Sequence, residues 1–549
     1  MDSASAGSSP SSTGKGKGRN RNRRGKGQGK SWKVKESDPD QEGNGGTEDG
    51  SLPTTETSAT TSPGKPRPPP EWLHLEGIPW PLLPCEAPLV EPLRSLAKAS
   101  SAEDRDAAIL ECLRLHPFVE VKAPQHGKDP QDFGPPVGPC QEEHFRMNIR
   151  TFNKWLKTEE GRPFGKEAGG PSDDGIYTVS AVMRRCMPRG MSRFIFPEAK
   201  TSVIVRGFRK FTGLTAEDED EESGATNMYE NFYYAPDAPA AKFTVTTKSN
   251  GENGKFSIRR INDQILFFAG SKNTCLVWSE GQDIEKLHPP EADASVPGPL
   301  IASMMQKFWR GWDEERRSKF VDKVSPNAWT LMLEINCASH EHIFPIKDDF
   351  VEFVAVLDRE GVPLPQKEAF AFFDEYGLPR VHCEEGLEID QLASRLTVER
   401  AATDREGAVL YLETAAGATV GLLKVKSNFY VRARRTRQTF WGAIVDPLLR
   451  GDKKSEATDT SSSSGSSCWA LAEKRLRTGM EGLKHVEGCA ENWKEWADVA
   501  VGFVKWWQAK YEALPTPEAK TEFAHTAKAR FGSIYRDYCR DAGLPGGDN

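Results

Sequence analysis

Residues 242–270 read KFTVTTKSNGENGKFSIRRINDQILFFAG. Three runs mix alternating, β-branched and aromatic residues, and short Gly- and Asn-containing breaks separate them. That pattern predicts three strands joined by tight antiparallel connections. Working outward, similar runs recur at TCLVW, AWTLMLEI, FVEFVAVL, AVLYLE and TVGLLKVK, with helical patterns between them over residues 300–321 and 366–376. The expectation is an α+β unit built on antiparallel sheets, spanning residues 176–451.

The flanks differ in composition. Residues 1–70 hold Gly, Ser, Thr, Pro and charge with almost nothing to bury, so they are expected to stay disordered. Residues 71–175 read as an ordered extension of mixed, Pro-punctuated segments, with a helix expected over 142–156 and no chemistry of its own. A Ser/Thr-rich linker over 452–467 precedes a helical part, 468–549. There Trp493, Trp496, Ala500, Phe503 and Trp507 recur at helical spacing, and core packing accounts for this stripe more simply than base stacking does.

At 549 residues the chain suggests two or three folded parts. A net charge of −7 looks unlike a nucleic-acid binder, but the charge is segregated. Residues 15–35 carry ten Lys or Arg and no acid, whereas acidic runs such as 217–222 push the total the other way. The basic tail suits a phosphate backbone, a solubilising role or a nuclear address. Ten cysteines without CxxC pairs indicate neither a zinc site nor a disulfide framework. No apolar stretch has membrane-spanning length, so a cytoplasmic or nuclear protein without a membrane partner is expected.

Lys248-Ser249-Asn250-Gly251 stands at the end of the first strand. A KxNG tetrapeptide is in itself only a hairpin turn. Around it, however, stand Arg189-Gly190, IVRGFRKFTG with Lys210, Ser271-Lys272-Asn273, Glu334 in LMLEINC, Glu406-Gly407 before AVLYLE, and Lys424 and Lys426 in LLKVKSNFY. Lys424 and Lys426, two apart on a strand, share a face. His340 and His342 flank Glu341 in an HxH pattern, but no third metal ligand is evident in the sequence, which favours a structural or nucleotide-proximal role.

In this order the segments resemble the nucleotidyltransferase motifs of RNA ligases, and most of all the ligase domain of fungal and plant tRNA ligases and phage-type RNA ligases. The KxNG motif stands as KSNG, the RGxxKF(F)N segment as RGFRKFTG, the SKHS-like element as SKNT, the FELxxxxH-like motif as LEINCASHEH, the EG-hydrophobic motif as EGAVLY and the KxK motif as KVKSNFY. The likeness covers residues 180–440.

It implies a covalent nucleotidyltransferase domain of the DNA/RNA ligase type, unrelated to ATP-grasp. Lys248 would be the nucleophile that takes AMP from ATP, passes it to an RNA 5′-phosphate and leaves the adenylated end to be sealed by a 3′-hydroxyl. Asn250, Gly251 and Glu334 would lie around the nucleotide. Arg189, Lys210, Lys272, Lys424 and Lys426 would contact phosphates, and Glu406 would help hold Mg²⁺, or Mn²⁺ in its place. Positive neighbours are expected to lower the Lys248 amine so that it can attack.

The chain lacks the GxxxxGK[ST] of a kinase and the paired HxT or HxS of a two-histidine phosphodiesterase, so RNA ends would be healed by separate enzymes. A DNA ligase or capping enzyme is disfavoured by KSNG in place of KxDG and by the helix-rich sequence after Lys426. A non-catalytic RNA-binding descendant is disfavoured by the joint presence of Lys248, Glu334, Glu406, Lys424 and Lys426. Deleting residues 1–35 is expected to weaken RNA binding and flatten its salt dependence while leaving self-adenylylation intact. Unchanged affinity at low salt would assign the tail another role.

Overall fold

The computed structural model describes residues 71–78, 80–123, 131–213, 229–287, 297–450, 468–485, 489 and 491–547, all within the unit Arg67–Asn549. The expected tail over 1–70, the acidic run over 217–222 and the linker over 452–467 lie outside these residues.

Thirteen strands are described: β1 (Val119–Lys122), β2 (Gln141–Met147), β3 (Met191–Phe196), β4 (Thr201–Val205), β5 (Lys242–Thr247), β6 (Glu252–Ile261), β7 (Gln264–Ser271), β8 (Cys275–Ser279), β9 (Thr330–Asn336), β10 (Phe350–Leu357), β11 (Cys383–Glu388), β12 (Gly407–Glu413) and β13 (Thr419–Lys426). They form three sheets, ordered β1-β2-β3-β4, β10-β9-β6-β7-β8 and β11-β5-β12-β13. Every pairing between them is antiparallel. With the helices that cover them, this is the mixed α and β architecture with antiparallel sheets expected from the alternating runs.

The five-stranded sheet is covered on both faces, which explains why QILFFAG is apolar almost throughout. Phe267 and Ala269 of β7 join a core with Phe256, Leu331, Leu333 and Phe353, roofed by helices Pro297–Gly311, Glu314–Val324 and Gln366–Glu375. Leu266 and Phe268 point the other way and pack against Phe194, Phe196 and Val205 of β3 and β4. Each such side chain, fully buried, contributes roughly 1.5–3 kcal/mol relative to exposure. At the β9–β10 edge the second face meets the β11-β5-β12-β13 sheet instead. Met332, Ala355 and Leu357 pack there on Tyr411 and Leu422, and Tyr411 Oη donates to Val354 O at 3.2 Å.

One feature departs from the sequence expectation. The segment expected to be helical over 142–156 is strand β2 followed by helix Ile149–Trp155, with the Asn148 side chain accepting from Thr151 N–H as the cap. Pairing on both sides, with β1 and β3, outweighs the local helical preference of this segment. That β2–β3 pairing also joins strands from either side of residue 175 in one sheet.

The Trp stripe lies on helix Trp493–Glu512. Trp496, Ala500, Phe503 and Trp507 are buried among the C-terminal helices and helix Asn428–Phe440. Among the described residues no helix is long and apolar enough to cross a membrane.

The C-terminal helices are fastened to the loop after β9 by Glu341, which is fully buried. Its backbone N–H donates to Ala529 O at 2.9 Å. Its carboxylate accepts from Ser533 N–H and Ser533 Oγ, each at 2.8 Å, and pairs with Arg530 at 3.2 Å. Glu341→Ala leaves these donors without their acceptor and is expected to cost about 1–3 kcal/mol. Urea unfolding followed by Trp fluorescence measures the loss, and an unchanged midpoint would rule out this fastening.

Candidate functional site

Side-chain parity directs several charged residues into one cleft. On β5, Phe243 and Val245 face the core beneath the β11-β5-β12-β13 sheet, so Thr244, Thr246 and, one step on, Lys248 face the opposite side. On β13, Leu423 and Val425 enter that same core, and Leu422 joins the layer between the two sheets. Lys424 and Lys426 share the parity of Leu422. On β9, Leu331, Leu333 and Ile335 face the helices, whereas Met332 and therefore Glu334 face the other sheet. An apolar inter-sheet layer thus gives way, at one end, to Lys248, Glu334, Lys424 and Lys426.

Backbone pairing completes the arrangement. Thr247 lies opposite Ala408, and beyond it the Lys248 N–H donates to Gly407 O at 2.9 Å. This places Glu406 beside the nucleophile candidate, with Lys248 Nζ 2.8 Å from Glu406 Oε1 and side chains 23% and 6% exposed. Glu406 is held from the far side, where Ser427 N–H donates to its carbonyl at 2.8 Å while Ser427 caps helix Asn428–Phe440.

Two glycines permit close approaches here. A Cβ on Gly407, at φ +145°, would lie 2.0 Å from Val425 O. One on Gly251 would lie 2.4 Å from Ile335 O, where β9 crosses the KSNG connection.

The KSNG connection bridges the two sheets and is pinned at Ser249 and Asn250. Ser249 Oγ donates to Glu352 Oε2 at 2.7 Å and accepts from Asn336 Nδ2 at 3.0 Å. Asn250, its amide turned so that oxygen faces the backbone, accepts from Ile343 N–H at 3.1 Å and Phe344 N–H at 3.2 Å. Asn253 lies opposite Glu334 and donates to it at 3.4 Å.

The electrostatics reverse one expectation. Burial pulls the Lys248 amine down, but Glu406 and then Glu334 outweigh it and hold Lys248 above the ordinary lysine value. The cation among its leading influences is Arg434 of the following helix, not a strand lysine. Burial drives Glu334 up to about 8 even with Lys248 beside it, and Glu406 adds to the rise. The resting Lys248 amine therefore holds its proton.

Arg189, Lys210 and Lys272 gather in a second group. Asp173 pairs with Lys272 and, at 3.4 Å, with Arg189, and Asp174 pairs with Lys210. Burial alone would raise Asp173, but Lys272, Arg189 and Lys210 hold it below the usual carboxylate range. Both aspartates open helix Asp173–Val179, capped by Ser172. Sequence reasoning assigned this segment no chemistry, and Ser-Asp-Asp at a helix start was the signal available.

Lys255 on β6 was missed as well. It is buried, donates to Gly190 O and is pushed below the ordinary lysine value by burial. Nothing in KFSIRRI distinguished it from a solvated strand lysine.

No protein-family model matches the chain, and no curated protein sequence matches it. The solved structures similar to it in part include two described as archaeal ATP-dependent RNA ligase, form 2 and form 1. Each is 14% identical and covers 61% of this chain; the matches cover 76% and 80% of those chains, with TM-scores of 0.34 and 0.32. At these scores the likeness decides neither fold nor activity.

Because Glu406 leads the causes that raise Lys248, Glu406→Gln is expected to move the pH midpoint of Lys248 modification by an amine-directed reagent to lower pH, in protein free of nucleotide. Glu334→Gln moves it the same way. Peptide mapping across a pH series reads the midpoint, and no shift in either variant would refute this ordering of charges.

Proposed function

We propose that this chain is an ATP-dependent RNA ligase that joins RNA 5′-phosphate and 3′-hydroxyl ends, with Lys248 carrying AMP. The observation that carries this reading is the 2.8 Å contact of Lys248 Nζ with Glu406 Oε1, in a cleft that Glu334, Lys424 and Lys426 face. The order of the motifs from Lys248 to Lys426 along the chain supports it. In this reading residues 176–451 form the catalytic unit, 71–175 its extension and 468–549 its helical companion.

Glu406 offers the carboxylate oxygens that suit a hard cation. Mg²⁺, or Mn²⁺, held by Glu406 with Glu334 beside it, would neutralise charge on the phosphates when bound.

The chain's own residues do the rest. Relieved of the Glu406 contact, Lys248 Nζ gives its proton to water. The freed amine attacks the α-phosphorus of ATP, forming an N–P bond as the P–O bond to pyrophosphate breaks. An RNA 5′-phosphate oxygen then displaces Lys248, which regains a proton, and a 3′-hydroxyl finally displaces AMP. Lys424 and Lys426 supply fixed positive charge along the strand that edges the cleft, where preorganised charge lowers the barrier most.

Asn250 and Gly251 keep the connection tight enough to hold Lys248 at the strand end. Arg189, Lys210 and Lys272 contact a phosphate or the RNA end.

Incubation with α-labelled ATP and Mg²⁺ is expected to label the protein, and Lys248→Ala is expected to abolish the label. Transfer of labelled AMP to a 5′-phosphorylated RNA, followed by sealing, completes the test. Absence of label on the unaltered chain would sink the proposal, and labelling by GTP but not ATP would replace it with a capping activity.

A further inference from the structure

His340 and His342 lacked a third partner in the sequence, and the fold provides one. Glu252, the first residue of β6, lies opposite Ile335 of β9, and so stands where the chain leaves β9 for the loop bearing both histidines. His342 Nε2 is 3.2 Å from Glu252 Oε1. The His340 and His342 rings sit 5.6 Å apart, nearly perpendicular. One ligand atom from each of the three residues lies within 4.8 Å of the others, and all three side chains are half-buried.

We propose that Glu252, His340 and His342 form a binding site for a divalent transition ion of the zinc class, separate from the cation held by Glu406.

The dimensions fit. Ligand bonds of about 2.0–2.1 Å in a tetrahedron put donor atoms roughly 3.3 Å apart. The Glu252–His342 spacing already matches that edge, and His340 needs to close by at most about 1.5 Å.

The donor set also fits. Two imidazoles and one carboxylate select a transition ion over Mg²⁺, which prefers carboxylate and water oxygens. Three protein donors leave a fourth position open to water or to an anionic oxygen. Arg437 acts on both Glu252 and His340. Its positive charge opposes any cation here, so only an ion that imidazole binds strongly overcomes it.

The backbone that presents the ligands is anchored. Glu341, between the two histidines, is bound to Ser533 and Arg530. Ile343, just after His342, donates to Asn250 of the KSNG connection. Glu252 follows Gly251 directly. A bound ion would therefore clamp the two ends of the loop-to-KSNG contact, next to the cleft but without touching Lys248.

The full chain, stripped with EDTA and desalted, is titrated with Co²⁺ in excess Mg²⁺ and without ATP, following visible ligand-field absorption. One equivalent is expected to bind and to be displaced by Zn²⁺. His340→Ala, His342→Ala and Glu252→Gln are each expected to weaken binding by more than the ~10–100-fold typical of losing an outer partner, with folding checked by circular dichroism. Lys248→Ala is expected to bind Co²⁺ like the unaltered chain, so this result stands apart from the fate of the ligase reading. Lack of stoichiometric Co²⁺ binding by the unaltered chain, displacement of Co²⁺ by Mg²⁺ alone, or undiminished binding by a folded His340→Ala/His342→Ala double variant would each overturn the proposal.

Discussion

The pairing of β5 with β12 sets the geometry on which the cleft depends. Lys248 stands one residue past the last ladder pair, yet its N–H still bonds to Gly407 O, so the nucleophile candidate sits on a backbone as fixed as the strand itself. A slip of one residue in this register would turn Thr244, Thr246 and Lys248 into the apolar layer below and expose Phe243 and Val245. The buried phenylalanine and valine thus hold the lysine in place, although neither is near the chemistry. Glycine at position 407 lets β13 approach closely enough for Ser427 to grip the Glu406 carbonyl.

The charges at the cleft mouth are not balanced in the resting chain. Two carboxylates flank the Lys248 amine, and burial, with Glu406 adding to it, drives Glu334 up to about 8. Such a site holds Lys248 protonated and keeps Glu334 raised. Binding a cation and a polyphosphate relieves both conditions together, because the cation competes for Glu406 and the phosphates need the lysines. The same imbalance that keeps the amine inert at rest is what a nucleotide–metal pair would correct.

Two further contacts tie the flanking parts to the rest of the fold. From the N-terminal side, Asp173 and Asp174 meet Arg189, Lys210 and Lys272, placing carboxylates among side chains suited to phosphate. From the C-terminal side, the buried Glu341 locks the loop after β9 to the helix beginning at Phe531. The KSNG connection leans on that same loop through Asn250. The placement of the KSNG connection therefore depends on packing of the C-terminal helices.

By itself the sequence determined the runs of β5 to β10, β12 and β13, the parity that gives Lys424 and Lys426 one face, and the buried stripe of Trp496, Phe503 and Trp507. These are local properties, legible because period-two and helical patterns need no knowledge of partners. It failed at residues 142–147, where strand pairing on both sides outweighed a helical pattern.

It also could not show which faces meet. Only the tertiary structure decided that β9 and β12 face each other, that Glu406 lies against Lys248 and raises it rather than leaving it to positive neighbours, and that Asp173 and Asp174 join the basic group. Likewise, Glu252 completes the histidine pair from a strand that begins 88 residues before His340 in the sequence. The reason is physical. Charge interactions are set by distances through space, and those distances follow from sheet register and packing between elements far apart in the chain.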